Sequence, residues 1–138
     1  MTDNAIFTYL LKNRINQLSN LEKITANLAD FFNLDEKKSY QVNLILEELL
    51  SNTILYGYPN NSDDTIEMTI NQENEFLVFE ISDGGIAFNP LESEEKEGIQ
   101  DELIVGGLGI KLVKKLCHKI DYQRVNHRNH LKIHYQYA

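Results

Sequence analysis

The chain of 138 residues carries 21 Asp and Glu against 13 Lys and Arg, a formal net charge of −8 at pH 7. That length suits one domain spanning residues 1–138, and the acidic surface argues against nucleic-acid phosphates as a partner. No apolar run nears the ~20 residues that span a bilayer, the "MTDNAIFTYLLKN" start lacks the basic segment of a signal peptide, and the single Cys117 permits no internal disulfide. These features predict a cytoplasmic protein whose partners are proteins or metal-chelated ligands.

"IFTYLLKN" (6–13) is short and partly alternating, which predicts an opening strand. "LEKITANLADFF" follows with Leu21, Ile24, Leu28, Phe31 and Phe32 at helical spacing, ending near Asn33. A second helix runs through "DEKKSYQVNLILEELLSNTILYGY", with Asp35 as N-cap and Gly57 and Pro59 closing it. "TIEMTINQ" and "EFLVFEIS" alternate on a period of two and predict a hairpin. From "DGGIAFNP" to "VGG" periodicity is lost over a long acidic loop, a length that points to a lid or binding loop. "GLGIKLVKKLCHK" restores a helix with Ile110, Val113, Leu116 and Cys117 on its apolar side, and "KIDYQRVN" with "HLKIHYQYA" closes the chain as a second hairpin. The order β-α-α-β-β-loop-α-β-β predicts an α+β fold with an antiparallel-dominated sheet and helices on one face.

Three stretches carry chemistry. In "EELLSN", Glu48 and Asn52 stand four apart and share one helix face, within an arc bounded by Leu44, Leu55, Ile45 and Tyr56. Glu47 falls on the wetter face. A carboxylate on such an arc needs a partner; either Asn52 or a backbone amide satisfies it structurally, or it serves a site. In "SDGGIAFNP", Asp83 ends a strand, where it can accept from an exocyclic amine while Gly84 and Gly85 let a flat ring approach. A plain Asp-Gly turn is the alternative. "GGLGIK" puts glycines at a helix entry, where unpaired N–H groups favour an anion; it matches neither the Walker loop nor the dinucleotide fingerprint. His127, His130 and His134 cluster late, yet His130 and His134 would stand ~13 Å apart on one strand face, too far to share an ion.

Taken in order, "EELLSN", "DGGIAF" and "GGLGIKLV" resemble the N, G1 and G2 boxes of the GHKL ATP-binding superfamily, whose fold is the Bergerat two-layer α/β sandwich with a mostly antiparallel mixed sheet. "LILEELLSNTILYGY" and the long ending from Gly106 are similar to the small bacterial anti-sigma-factor serine/threonine kinases, across essentially the whole chain. The resemblance implies ATP and Mg²⁺ as cofactors. It gives Glu48 the role of general base, Asn52 that of Mg²⁺ ligand and Asp83 that of adenine reader. Gly85 would permit close approach of the base, and Gly107 and Gly109 would present backbone amides to the phosphates. Ala87, Phe88, Gly106, Leu108, Ile110 and Lys111 complete the nucleotide-binding boxes. Residues 89–105 would form the ATP lid; six carboxylates against Lys96 give it a net charge of −5, which Mg²⁺ and Lys111 would offset. Tyr56 stands where relatives often carry His. The implied activity is phosphorylation of an anti-sigma-factor antagonist, with sequestration of a sigma factor and possible homodimerisation. Alternatives are an ATP-gated binding module without phosphotransfer, and a stand-alone histidine-kinase-type ATPase domain.

Overall fold

A computed structural model describes residues 6–58, 62–92 and 105–138. Strand β1 (Phe7–Lys12) leads through a 3-10 turn (Ile15–Asn20) into α1 (Leu21–Phe32) and α2 (Glu36–Gly57). A hairpin of β2 (Thr65–Glu73) and β3 (Phe76–Asp83) follows, then α3 (Val105–Leu116), and a hairpin of β4 (Lys119–Val125) and β5 (Arg128–Gln136). The element order is the one the sequence predicts. The 3-10 turn is additional, because "INQLSN" carries no helical period of its own.

The sheet runs β1-β2-β3-β5-β4. All four pairings are antiparallel, so the mixed sheet expected from the resemblance is corrected to a purely antiparallel one among the described residues. The reason lies in the connections: both hairpins close through two-residue turns, at Asn74–Glu75 and Asn126–His127, and β5 returns beside β3 in the opposite sense.

Period-two alternation buries Ile66, Met68 and Ile70 of β2, Leu77, Phe79 and Ile81 of β3, and Leu131, Ile133 and Tyr135 of β5. They form one core with Leu21, Ile24 and Leu28 of α1, Val42, Leu46, Leu49 and Leu50 of α2, and Ile110 and Val113 of α3. Phe31, expected on the packed side of α1, is exposed and instead sets its ring edge against Phe7 and Phe32. Thr25 takes the buried place and donates to Asn43 Oδ1 at 3.0 Å, tying α1 to α2.

Helix α2 is the long member that positions the site. Its N-terminus is capped by the Asp35 side chain, which accepts from Lys38 N at 2.8 Å. Its last residue, Gly57, keeps its carbonyl for Ile86 N at 2.9 Å, so the loop after β3 docks on the end of this helix. Helix α3 begins at Val105, two residues before the "GLGIK" at which the helical period resumes, which places Gly106 and Gly107 in its first turn rather than in the preceding loop.

Candidate active site

The face of α2 that carries Glu48 and Asn52 borders the core rather than lying inside it. Leu44 and Glu48 are half-buried, Leu55 and Tyr56 are exposed, and the packed stripe runs through Ile45, Leu46, Leu49, Leu50 and Ile54. Glu47 is exposed, as the helical wheel predicts. Burial, and secondarily the negative charge of Glu47, holds the Glu48 carboxyl above the usual carboxylate range. Asn52 is 4% exposed, and its Nδ2 is buried with no hydrogen-bond partner. The two side chains therefore do not satisfy one another. A buried amide group left unpaired has a cost, and its presence on the same face as a carboxylate with raised proton affinity points to a group that binds something.

Glu48 is covered by α3. A Cβ built on Gly109 would lie 1.7 Å from Glu48 Oε1 and 2.3 Å from its Cδ. Only glycine lets the α3 backbone come this close, so "GGLGIK" has a role the sequence did not show: Gly109 makes room for a carboxylate of another helix. Ile110 is fully buried and anchors α3 to the core, while Lys111 lies on the exposed side. The first-turn N–H groups of α3, around Gly106 and Gly107, lack intrahelical partners and sit at the positive end of the helix dipole.

At the other end of α2, Asp83 is 4% exposed at the end of β3. Its Oδ1 accepts from Gly85 N at 2.9 Å and from Asn129 Nδ2 at 3.0 Å. A Cβ on Gly85 would fall 2.4 Å from Gly57 O, so glycine is needed here for contact with α2. Ala87 is exposed and Phe88 half-buried, its ring 5.5 Å from that of Tyr56. Asp64 supports the loop from behind, accepting from Gly84 N at 3.1 Å, Tyr58 Oη at 2.5 Å and Thr65 N at 2.8 Å. Desolvation opposes its ionisation, but these hydrogen bonds outweigh it and set its carboxyl below the usual range. Burial and the Asp64 carboxylate push the Tyr58 hydroxyl up, keeping it a donor.

Both glycine-rich stretches thus dock on one helix, at Glu48 and at Gly57. Nine residues separate them, about 13 Å along the axis at 1.5 Å per residue. With the buried Asp83 carboxylate at one end of α2 and, at the other, an anion-friendly helix start beside the half-buried Glu48 carboxyl, the arrangement has the polarity of a nucleoside triphosphate. The residues present fit ATP on these grounds. The unpartnered Asn52 Nδ2 is a donor and suits an acceptor such as a phosphate oxygen, and only the carboxamide oxygen of the same side chain would serve as a ligand for Mg²⁺; among the described residues no group of three His, Cys, Asp or Glu side chains is placed to hold a metal. The lid expected at 89–105 lies largely outside the described residues. His130 and His134 are on β5, where His134 Nε2 is 3.7 Å from Glu73 Oε1.

Sequence reasoning missed Asn129, Asp64 and Tyr58. Asn129 and Asp64 lie in no recognised box, and their contact with "DGG" arises from strand pairing and loop packing. A signal for Asn129 was nonetheless present: it occupies an inward position of β5, in alternation with Leu131, Ile133 and Tyr135, where a polar residue needs a reason.

A family model described as histidine kinase-like ATPase domain matches residues 11–135. A serine/threonine-protein kinase, BtrW of Bordetella bronchiseptica, is 26% identical over 96 residues, covering 68% of this chain and 68% of that protein. No helix among the described residues is long and apolar enough to cross a membrane. With its matched span covering nearly the whole sheet and all three helices, the chain belongs to the histidine kinase-like ATPase domain family.

Proposed function

We propose that the chain is an ATP-dependent protein serine/threonine kinase of the anti-sigma type, acting in the cytoplasm on a small regulatory protein. The observation that carries this reading is Glu48: half-buried, raised in proton affinity, roofed by Gly109 and one turn from the unpartnered Asn52 amide. Likeness to a protein named serine/threonine-protein kinase supports the acceptor class.

Mg·ATP, when bound, supplies the γ-phosphoryl group and neutralises part of its charge. Asp83 would accept from the adenine amine, while Gly85 lets the loop that carries it pack on α2. Asn52 would hold Mg²⁺ through its carboxamide oxygen. The first-turn amides of α3 and Lys111 would supply donors and positive charge to the phosphates. Glu48 takes the proton of the attacking Ser or Thr hydroxyl, a task suited to a carboxyl whose proton affinity is raised towards neutrality. The acceptor is an anti-sigma-factor antagonist, and the sigma factor is the second protein partner, held by a homodimer.

The test mixes the purified protein with labelled ATP and the antagonist-type protein encoded beside its gene. Label on a Ser or Thr of the partner is the expected result. Nucleotide binding by calorimetry without label on any cognate partner would leave a binding module, and no nucleotide binding would overturn the reading entirely.

A further inference from the structure

Asn129 is 5% exposed and stands directly across from Asp83 in the β3–β5 register. Its Nδ2 donates to Asp83 Oδ1 at 3.0 Å and to Ile86 O at 2.8 Å. Its Oδ1 accepts from Phe88 N at 3.3 Å, from Arg124 Nη1 at 3.1 Å and from the Tyr122 hydroxyl. This partner set determines the amide's orientation, since reversing it would set the NH₂ group against the N–H donors of Phe88 and Arg124. Arg124 Nη1 also donates to Gly85 O at 2.8 Å, so one side chain of β5 and one of β4 grip the loop at Gly85, Ile86 and Phe88. The tight Asn126–His127 turn, with both residues at positive φ, holds β4 and β5 in the register that brings these groups together.

We infer that Asn129 is a positioning residue that fixes which oxygen of Asp83 faces the nucleotide base. Resting on the reading of Asp83 as adenine reader, the inference adds the source of its selectivity. Two N–H donors, Gly85 N and Asn129 Nδ2, occupy Oδ1. No hydrogen bond reaches Oδ2 from the described residues. Oδ2 is therefore the acceptor presented to a ligand, and an acceptor held rigidly favours the 6-amino group of adenine over the 6-oxo group of hypoxanthine. Without the clamp the carboxylate can turn, and the loop that carries Gly85 loosens.

The test is Asn129→Asp, which keeps shape but sets an acceptor against Asp83 Oδ1 and Ile86 O, with Asn129→Ser as a second variant should the first fail to fold. Calorimetry with ATP and ITP reads the base preference. Either variant is expected to lower ATP affinity by about tenfold or more while changing ITP affinity little, so that the ratio collapses towards one. Amide exchange in the nucleotide-free protein adds a readout that global stability would not mimic: Gly85 and Phe88 should exchange faster while Leu28, in the α1 core, keeps its protection. A folded variant with the parental ATP to ITP ratio overturns the inference alone. A parent that shows no preference for ATP over ITP overturns the adenine reading of Asp83, and this inference with it.

Discussion

At the level of single residues, the governing contact joins Gly109 of α3 to Glu48 of α2, 61 positions apart in sequence, where a Cβ on the glycine would fall 1.7 Å from the carboxylate Oε1. Two outcomes follow from that contact. Glu48→Gln keeps the shape but cannot take a proton, so phosphotransfer should fall by about 10²-fold or more with ATP affinity nearly unchanged; transfer at the parental rate would make Glu48 a structural carboxylate. The same variant should be more heat-stable than the parent at pH 7. The sign is set by the raised folded-state pKa: the folded protein binds the proton more tightly than the unfolded chain, so ionised Glu48 costs stability at neutral pH, and that cost disappears as pH falls through its folded value towards the ordinary 4.5. The stability difference should accordingly shrink in melts run at pH 4. Gly109→Ala is the complementary case. In an ordinary helix interior it would stabilise by about 1 kcal/mol, but here the new Cβ meets Glu48 Oε1 at 1.7 Å and Cδ at 2.3 Å and must displace the side chain. Loss of transfer by about tenfold or more, with no gain in denaturation midpoint, is expected; a more stable and fully active variant would show that Glu48 is free to stand elsewhere.

At the level of elements, periodicity and punctuation predicted the helices and both hairpins, because α2 has a capping Asp35, α1 ends at Asn33 in the left-handed conformation, and the strands alternate cleanly. What stayed hidden were features decided by partners in space. Phe31 satisfies the helical period yet faces outward, since Phe7 of the edge strand offers a ring to pack on. The sequence period indicates a start for α3 at Gly107 rather than Val105, because three glycines within four residues have poor helix propensity, which tertiary contact at Ile110 overrides. The β4–β5 turn carries a cost the sequence leaves visible: both Asn126, at φ 54°, and His127, at φ 64°, lie in the left-handed region, and the second position of such a turn ordinarily holds glycine. His127→Gly should relieve this strain and stabilise the protein by about 1 kcal/mol. Urea denaturation measures it; an unchanged or lower midpoint would show that the His127 side chain makes a compensating contact.

For the whole molecule, the decisive arrangement is that α2 serves as the floor for two loops from distant parts of the chain, the one after β3 at Gly57 and the start of α3 at Glu48. Neither docking is written in the boxes themselves; each depends on a glycine whose missing Cβ lets a backbone or carboxylate come close. A ligand spanning both ends of α2 binds only the folded chain, so Mg·ATP should raise the stability by linkage. At a concentration of about 100 times Kd the gain is about 2.7 kcal/mol, which for a chain of this size amounts to roughly 5–10 °C in melting temperature. Asp83→Asn tests whether the gain enters through the base. Its carboxamide oxygen can still accept from Gly85 N and Asn129 Nδ2, so the ligand-free melt should move little, but an NH₂ group now stands where the adenine amine needs an acceptor. The Mg·ATP shift should then shrink by more than half in a differential scanning measurement, and ITP should become nearly as effective as ATP. A full ATP shift in folded Asp83→Asn would remove Asp83 from the site and leave α2's other end, at Glu48 and Asn52, to account for binding by itself.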